Sequence, residues 1–448
     1  MFDLIEEAKR IIAIRSGPQE GTYELVEYLI PFCQKLGLRF FPQPALNGDS
    51  QREVNLIAYT VSKDSSDLCP GGLALVTHLD TVPPGNYSLW TETGGNPYQA
   101  TLKEDRIYGL GSADTKLDFL CKLKAMENVG ISAFGGKIPL ALIGTFGEER
   151  ALAGVRLLQE SGIIHPKFAL VSEPSEMQPV VKHKGILYLR VVFETSPPTP
   201  LLSKERVAAG GSRVRSFSGR AAHGSMPHLG ESAIEKAVMW LFEEQKKKPG
   251  LQLISIQGGT VHNVVPESCI VEYSDDSHGE CQKISFLKKF YQRLSSANIY
   301  LKTHRNHEFD PPKTTCNVGV IRTISGHIEI EFDFRLIPET DGNVLFEIFK
   351  DLHCVEIIRS NAPMNTHLDS EIVQHVKRAF TSLGVTPKFM VKSGNTEGAV
   401  LSQMGVETIV IGPGRSVGNI HAPNEYNEIS QLQKAVEVYT HFLRQFTK

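Results

Sequence analysis

LALVTHLDT (residues 73–81) is an apolar run that ends on an imidazole and a carboxylate two residues apart. Runs of the same kind recur as VNLIAY at 54–59, IPLALIGTF at 138–146, FALVSE at 168–173 and TIVIG at 408–412. Helix-period stretches lie among them, at 2–14, 22–36, 117–129 (LDFLCKLKAMENV) and 151–160. Strands buried on both faces read as continuous apolar runs, and strand–helix–strand repetition needs crossover helices. The pattern therefore predicts an α/β domain around a mainly parallel sheet.

The character changes after Pro174. ILYLRVVFE at 186–194 alternates like a strand with one wet face, and further strands are expected at 251–256, 268–273 and 328–336. Two helical stretches, 231–246 and 282–296, lie between them. This is an α+β segment, a ferredoxin-like antiparallel sheet with two helices. Residues 196–213 (SPPTPLLSKERVAAGGSR) read as an inserted loop. The α/β character then returns with a helix at 370–383, a strand near 387–391, TIVIG, and a helix at 430–446. The expected division is 1–180 for the first part of a catalytic domain, 181–358 for an inserted domain, and 359–448 for the second part.

Length and composition agree with two soluble domains: 448 residues, 41% hydrophobic and 22% charged. A net charge of -3 offers no basic excess for phosphates, which argues against a nucleic-acid partner. No apolar run approaches the ~20 residues that span a bilayer. The start, MFDLIEEAKR, reads as an amphipathic helix and not as a signal peptide. Seven scattered cysteines without a CxxC pair look like reduced thiols, so a cytoplasmic location is expected.

In open α/β sheets ligands bind beyond the carboxyl ends of the strands. Here those ends carry His78 and Asp80, then Glu148 and Glu149, then Glu173, with His421 shortly after TIVIG in GPGRSVGNIHAP. Asp114 sits in a glycine-bearing turn, YGLGSADTK, just before a helix. Each has an ordinary explanation alone: an HxD triplet, a solvated Glu pair, a turn residue before Pro174, a surface histidine. Together they have none, because buried charges cost several kcal/mol unless paired or metal-bound. Two imidazoles and three carboxylates form the mixed N/O set that suits zinc. One carboxylate can bridge two cations ~3.5–4 Å apart. Asp80 is placed to accept the second ring N–H of His78. Of the adjacent glutamates, one can bind metal while the other acts as general base toward a water whose pKa a cation lowers to about 7.

THLDTVPPG, the Asp after YGLGSA, GTFGEE, SEP, and GPG…HAPNEY occur in the order that resembles the aminoacylase/carboxypeptidase family of co-catalytic zinc hydrolases, over nearly the whole chain. That family includes acetylornithine deacetylase, succinyl-diaminopimelate desuccinylase, glutamate carboxypeptidase and cytosolic dipeptidases. The resemblance implies one zinc on His78 and Glu173 and another on Glu149 and His421. Asp114 would bridge them, with Glu148 as base and Asp80 orienting His78. It also implies a cis peptide after Asp114, and it allows cobalt as a substitute metal.

The inserted segment resembles the family's lid, or dimerisation, domain. SGRAAHGSMP then implies that His223 hydrogen-bonds the oxyanion in a partner subunit's site. GGTVHNVVPE gives Asn263 as a substrate contact, EIEFDFRLIP gives Arg335 as a carboxylate clamp, and SGNTEG gives Gly394 and Asn395. The sequence departs from the family where Leu117 follows Lys116 in place of the usual glycine, and in the long separation of Asn263 from Arg335. The expected activity is amide hydrolysis in N-acyl amino acids by an acetylornithine deacetylase-like homodimer. A metallo-dipeptidase or carboxypeptidase is the alternative within the same chemistry, and a non-catalytic binding protein the alternative outside it.

Overall fold

The apolar runs become neighbouring strands. The computed structural model describes residues 2–46, 52–60, 67–134, 138–194, 211–275 and 281–447, and most of the 196–213 stretch lies outside them. The chain divides into two compact units. One comprises Met1–His183, Met364–Lys392 and Thr396–Lys448; the other comprises Lys184–Pro363 and Ser393–Asn395. The joints read from the sequence stood at 180/181 and 358/359.

The first unit begins with α1 (Leu4–Ala13), α2 (Tyr23–Lys35), β1 (Arg39–Pro44), β2 (Val54–Tyr59) and β3 (Leu73–His78). The short strands β4 (Thr101–Lys103) and β5 (Arg106–Tyr108) precede α3 (Lys116–Val129), β6 (Leu140–Thr145), α4 (Ala153–Ser161), β7 (Phe168–Val171) and β8 (Val180–His183). Every residue of β3, β6 and β7 is buried, as expected for central strands covered on both faces.

The second unit contains β9 (Gly185–Phe193), β10 (Arg213–Ser218), α5 (Ala233–Lys247), β11 (Gln252–Gly258) and β12 (Ser268–Ser274). It continues with α6 (Gln282–Lys302), β13 (Thr315–Ile324), β14 (His327–Leu336), α7 (Gly342–Phe349) and β15 (Cys354–Asn361). Its strands form one antiparallel sheet in the order β10-β12-β11-β13-β14-β9-β15. Alternate residues of β14, Ile328, Ile330, Phe332 and Phe334, join a core with Phe290 of α6 and Phe349 of α7. Among the described residues, two of its three helices, α5 and α6, fall on the stretches read as helical from the sequence; α7 is additional.

The chain then completes the first unit with β16 (Met364–Asn365), α8 (Glu371–Thr381), β17 (Met390–Lys392), α9 (Gly398–Gln403), β18 (Glu407–Val410), β19 (Tyr426–Glu428) and α10 (Ile429–Leu443). The large sheet runs β1-β2-β6-β3-β7-β18-β8-β16, with β17 paired to β8, and β19-β5-β4 form a small separate sheet. Its centre, β6-β3-β7-β18, is parallel, and its flanks include antiparallel pairs. This is the α/β fold with a second antiparallel domain that the sequence pattern predicts.

Helix α3 stitches the back of this sheet just below the strand ends. The buried Lys122 ammonium donates to Val76 O at 2.7 Å and to Ser172 Oγ at 2.5 Å. The Asp118 carboxylate accepts from Ser172 Oγ at 2.5 Å and from Tyr439 OH at 3.0 Å. A buried ion pair is tolerated when its other bonds offset desolvation. Here Lys122 is well supplied, while both hydroxyls reach Asp118 through Oδ2 and its Oδ1 has no hydrogen-bond partner among the described residues. The pair fixes β3 and β7 next to the residues that bear His78 and Glu173.

Candidate metal centre and active site

His78 is the last residue of β3, and its burial follows from the strand's central position. Its Nε2 lies 3.1 Å from Asp114 Oδ1. Asp114 comes from the turn between β5 and α3, where Gly109 and Gly111 adopt φ of 150° and 77°. Such angles favour glycine and let the turn fold back over the strand ends. The second oxygen, Asp114 Oδ2, lies 3.2 Å from His421 Nε2, and the same nitrogen is 3.0 Å from Glu149 Oε1. One ligand atom from each of Asp114, Glu149 and His421 falls within 4.8 Å of the others. The peptide Asp114–Thr115 is cis.

Asp80 holds a position that its place in HxD did not suggest. Its Oδ1 and Oδ2 accept the backbone N–H groups of Glu148 and Glu149, at 3.1 and 3.2 Å. His78 Nδ1 is 3.2 Å from the Asp80 backbone carbonyl and 3.6 Å from its carboxylate. The carboxylate thus clamps the turn after β6 to the end of β3, while the nearer partner of the imidazole is main chain.

The electrostatics show what the cluster favours. Burial pushes the Glu148 carboxyl well above the usual range, and the charge of Glu173 adds to it. Burial also raises Glu149. Burial and the Asp114 charge bring Glu173 to about 8. Burial opposes ionisation of Asp114 too, but hydrogen bonds from His421 and His78 hold it low. Hydrogen bonds to Asp114 and Glu149 carry His421 to about 11. Burial disfavours charge on His78, yet its bonds to Asp114 and Asp80 raise it well above its ordinary value. Five carboxyls thus crowd two imidazoles, whose raised proton affinity marks a place where cations would relieve the repulsion. The donor set and its excess of negative charge fit divalent metal.

The remaining sequence-derived residues belong to the second unit. Nδ1 of His223 accepts from Ser225 N at 3.2 Å, with Ser225 Oγ at 2.7 Å. Burial, with Arg335, lowers the pKa of that imidazole. Asn263 contributes its carbonyl to Gly224 N at 2.7 Å. Arg335 is 9% exposed, and its Nε donates to Asp333 Oδ2 at 2.7 Å. Asn395 Oδ1 accepts from Asn361 Nδ2 at 2.7 Å, and its own Nδ2 donates to the carbonyls of Lys184 and Ala362. Gly394 borders open space.

The sequence reading missed Glu397 and Glu425, both 1% exposed. Burial brings each to about 7. The HAPNEY stretch contained Glu425, but nothing in the periodicity indicated that it is buried against the Asp114 turn.

The family model described as Peptidase family M20/M25/M40 matches residues 74–445, an interval that contains every residue of the cluster. The chain belongs to that family. It is a metal-dependent hydrolase. This M20/M25/M40 chain is 25% identical over 455 residues to the acetylornithine deacetylase of Myxococcus xanthus, covering 97% of this chain and 95% of that one. Identity to the acetylornithine deacetylase of Photorhabdus laumondii is 33% over 168 residues, covering 38% and 40%. Among solved structures, the aminoacylhistidine dipeptidase of Vibrio alginolyticus superposes with a TM-score of 0.67 at 15% identity, over 99% of this chain and 96% of that chain. An M20 family metallo-carboxypeptidase of Sulfolobus solfataricus gives 0.63 at 17%, over 100% of both. At these identities the two structures establish the M20/M25/M40 fold alone. No helix among the described residues is long and apolar enough to cross a membrane.

Proposed function

We propose that the enzyme hydrolyses the amide bond of N-acyl amino acids, as an acetylornithine deacetylase-like deacylase that uses two zinc ions or, in substitution, two cobalt ions. The observation that carries this reading is the division of Asp114, one oxygen 3.1 Å from His78 and the other 3.2 Å from His421. In this assignment His78 and Glu173 would hold one ion and Glu149 and His421 the other, with Asp114 shared between them. The near full-length alignment with an acetylornithine deacetylase supports the substrate class. Bound, the two cations supply polarisation of the acyl carbonyl and acidification of a water molecule.

The chain's own residues do the rest. The Glu148 carboxylate takes a proton from the attacking water. The oxygen of that water bonds to the acyl carbon, the C–N bond breaks, and Glu148 delivers the proton to the departing nitrogen. A free carboxylate and an ammonium leave, the second proton of the attacking water also ending on the nitrogen. Asp80 keeps Glu148 and Glu149 in register through their backbone N–H groups. His223 is suited to the developing oxyanion: because Nδ1 accepts from Ser225, its proton sits on Nε2, which is then a donor. Arg335, Asn263, Gly394 and Asn395 take the substrate contacts, with Arg335 on the carboxylate.

A panel of N-acetyl and N-succinyl amino acids alongside dipeptides, with added zinc or cobalt, tests the assignment. N-acyl amino acids are expected to exceed dipeptides by more than tenfold in kcat/KM, with all turnover lost to a chelator. A dipeptide preference moves the enzyme to the metallo-dipeptidases, and turnover indifferent to chelation removes the metal reading. The same proposal makes the enzyme a homodimer in which His223 serves the partner's site. Light scattering should give a dimer; a fully active monomer would take His223 out of the mechanism. The proposed location is the cytoplasm, where its seven unpaired thiols stay reduced.

A further inference from the structure

Glu425 lies four residues after His421 and is 1% exposed. Its Oε1 accepts the backbone N–H groups of Ala113 and Asp114, at 2.8 and 3.0 Å, and its Oε2 accepts that of Gly111 at 3.2 Å. Its backbone carbonyl accepts from Gly109 N at 2.9 Å. Four N–H groups of a single turn therefore converge on one residue, three of them on its carboxylate. Such a concavity of backbone amides matches a negative charge and suits a neutral amide side chain poorly. The residue it holds most closely in sequence is Asp114, whose two oxygens face the two histidines.

The histidines differ in how they are supported. His78 closes a buried central strand, paired to β6 along its length. His421 sits in a loop with backbone φ of 56°, its side chain 49% exposed, and Asn424 nearby has φ of 65°. No strand carries His421, so its position depends on tethers. The short β19–β5 pairing is one, with Tyr426 opposite Tyr108 and Asn427 opposite Ile107. Asn424 provides a second, accepting Glu92 N at 2.9 Å and donating to Thr91 Oγ1 at 3.0 Å. The Glu425 carboxylate is the third, and it alone of the three reaches the Asp114 amide.

We propose that Glu425 is a positioning residue that registers His421 against the Asp114 turn and thereby sets the affinity of the cation position bounded by Asp114, Glu149 and His421. The inference rests on the two-cation reading above and names the residue that makes its two positions unequal in robustness. The position bounded by His78 and Glu173 draws its ligands from the ends of two buried strands and needs Glu425 less. In Glu425→Gln one oxygen remains for the turn, while the new NH2 group meets an N–H donor head on. The turn and the His421 loop then lose their common register without a change in side-chain volume.

Calorimetric titration of the chelator-stripped full-length enzyme with Zn2+ tests this independently of turnover. The native enzyme is expected to take up two ions. Glu425→Gln should weaken one position tenfold or more and the other less than threefold, with Glu425→Asp intermediate. Asn424→Gly keeps the positive φ but cuts the neighbouring tether, and it should weaken neither position more than threefold. If Glu425→Gln does not fold by circular dichroism, the Glu425→Asp isotherm decides by the same split. The inference is overturned if the Glu425 variant binds as the native enzyme does, weakens both positions alike, or is matched by Asn424→Gly. Failure of the native enzyme to bind two ions would instead sink the two-cation reading.

Discussion

Glu148→Ala is expected to keep its metal and lose 10²–10⁴-fold in kcat, the usual contribution of a positioned general base, whereas Glu149→Ala loses metal. The two residues are adjacent, and both backbone N–H groups sit on Asp80, so the turn itself does not distinguish them. Their carboxyls part company. Glu149 Oε1 joins Asp114 and His421 within ligand distance. Glu148 stays outside that triplet, crowded by Glu173, Glu149 and Asp80, with burial and Glu173 together driving its pKa well above the usual range. A carboxyl whose proton affinity is raised while it stands beside the proposed metal ligands is suited to carry a proton both ways. Metal analysis of each purified variant beside its kcat checks the division. Equal metal loss in both would show that the roles are assigned wrongly.

The chelator-stripped enzyme should lose thermal stability as pH rises from about 5 to 9, and the loaded enzyme should not. Burial raises Glu173 from 4.5 in the unfolded chain to about 8 in the fold, and Glu148 and Glu149 shift in the same direction. Above pH 4.5 the unfolded chain therefore releases protons that the folded chain still holds, so stability falls as pH rises toward the folded values. His421, raised from 6.5 to about 11, adds a loss of the same sign above pH 6.5, and His78 does likewise. Asp114, held low, contributes stability above its unfolded value and loses it only in acid, below this window. Divalent ions replace the retained protons and remove the slope. Metal at about a thousand times its dissociation constant adds about 4 kcal/mol, a shift in Tm on the order of 10 °C near pH 8. Parallel melting curves for stripped and loaded protein would remove the cluster from metal binding.

The central strands of the first unit were readable because they are buried on both faces, whereas the exposed β1 and β4 were not. LALVTH and FALVSE carry no polar alternation to confuse with a loop, and both lie where the structure has β3 and β7. The second unit was readable only where alternation is clean. ILYLRVVFE is β9, and the stretch at 328–336 is β14. Strand β13, TCNVGVIRTI, carries asparagine, glycine and arginine and a register shift between Val318 and Val320, and β10, RVRSFS, lies at a sheet edge with most of its residues exposed. In β13 the apolar alternation covers only Cys316, Val318 and Val320 before Ile321 and the register shift break it, and β10 shows no period-two apolar pattern by which a strand declares itself.

The amino-acid order by itself determined the α/β architecture, the inserted antiparallel domain, and which carboxylates and imidazoles stand at strand ends, because burial periodicity and chain direction are local properties. It could not determine that Asp80 grips the Glu148–Glu149 turn, that the Lys122–Asp118 pair lies under β3 and β7, or that Glu425 faces the amides before Asp114. Their links join residues tens to hundreds of positions apart through a few hydrogen bonds each, which leave no period in the sequence. Only the closed tertiary structure fixes which buried donor meets which buried charge.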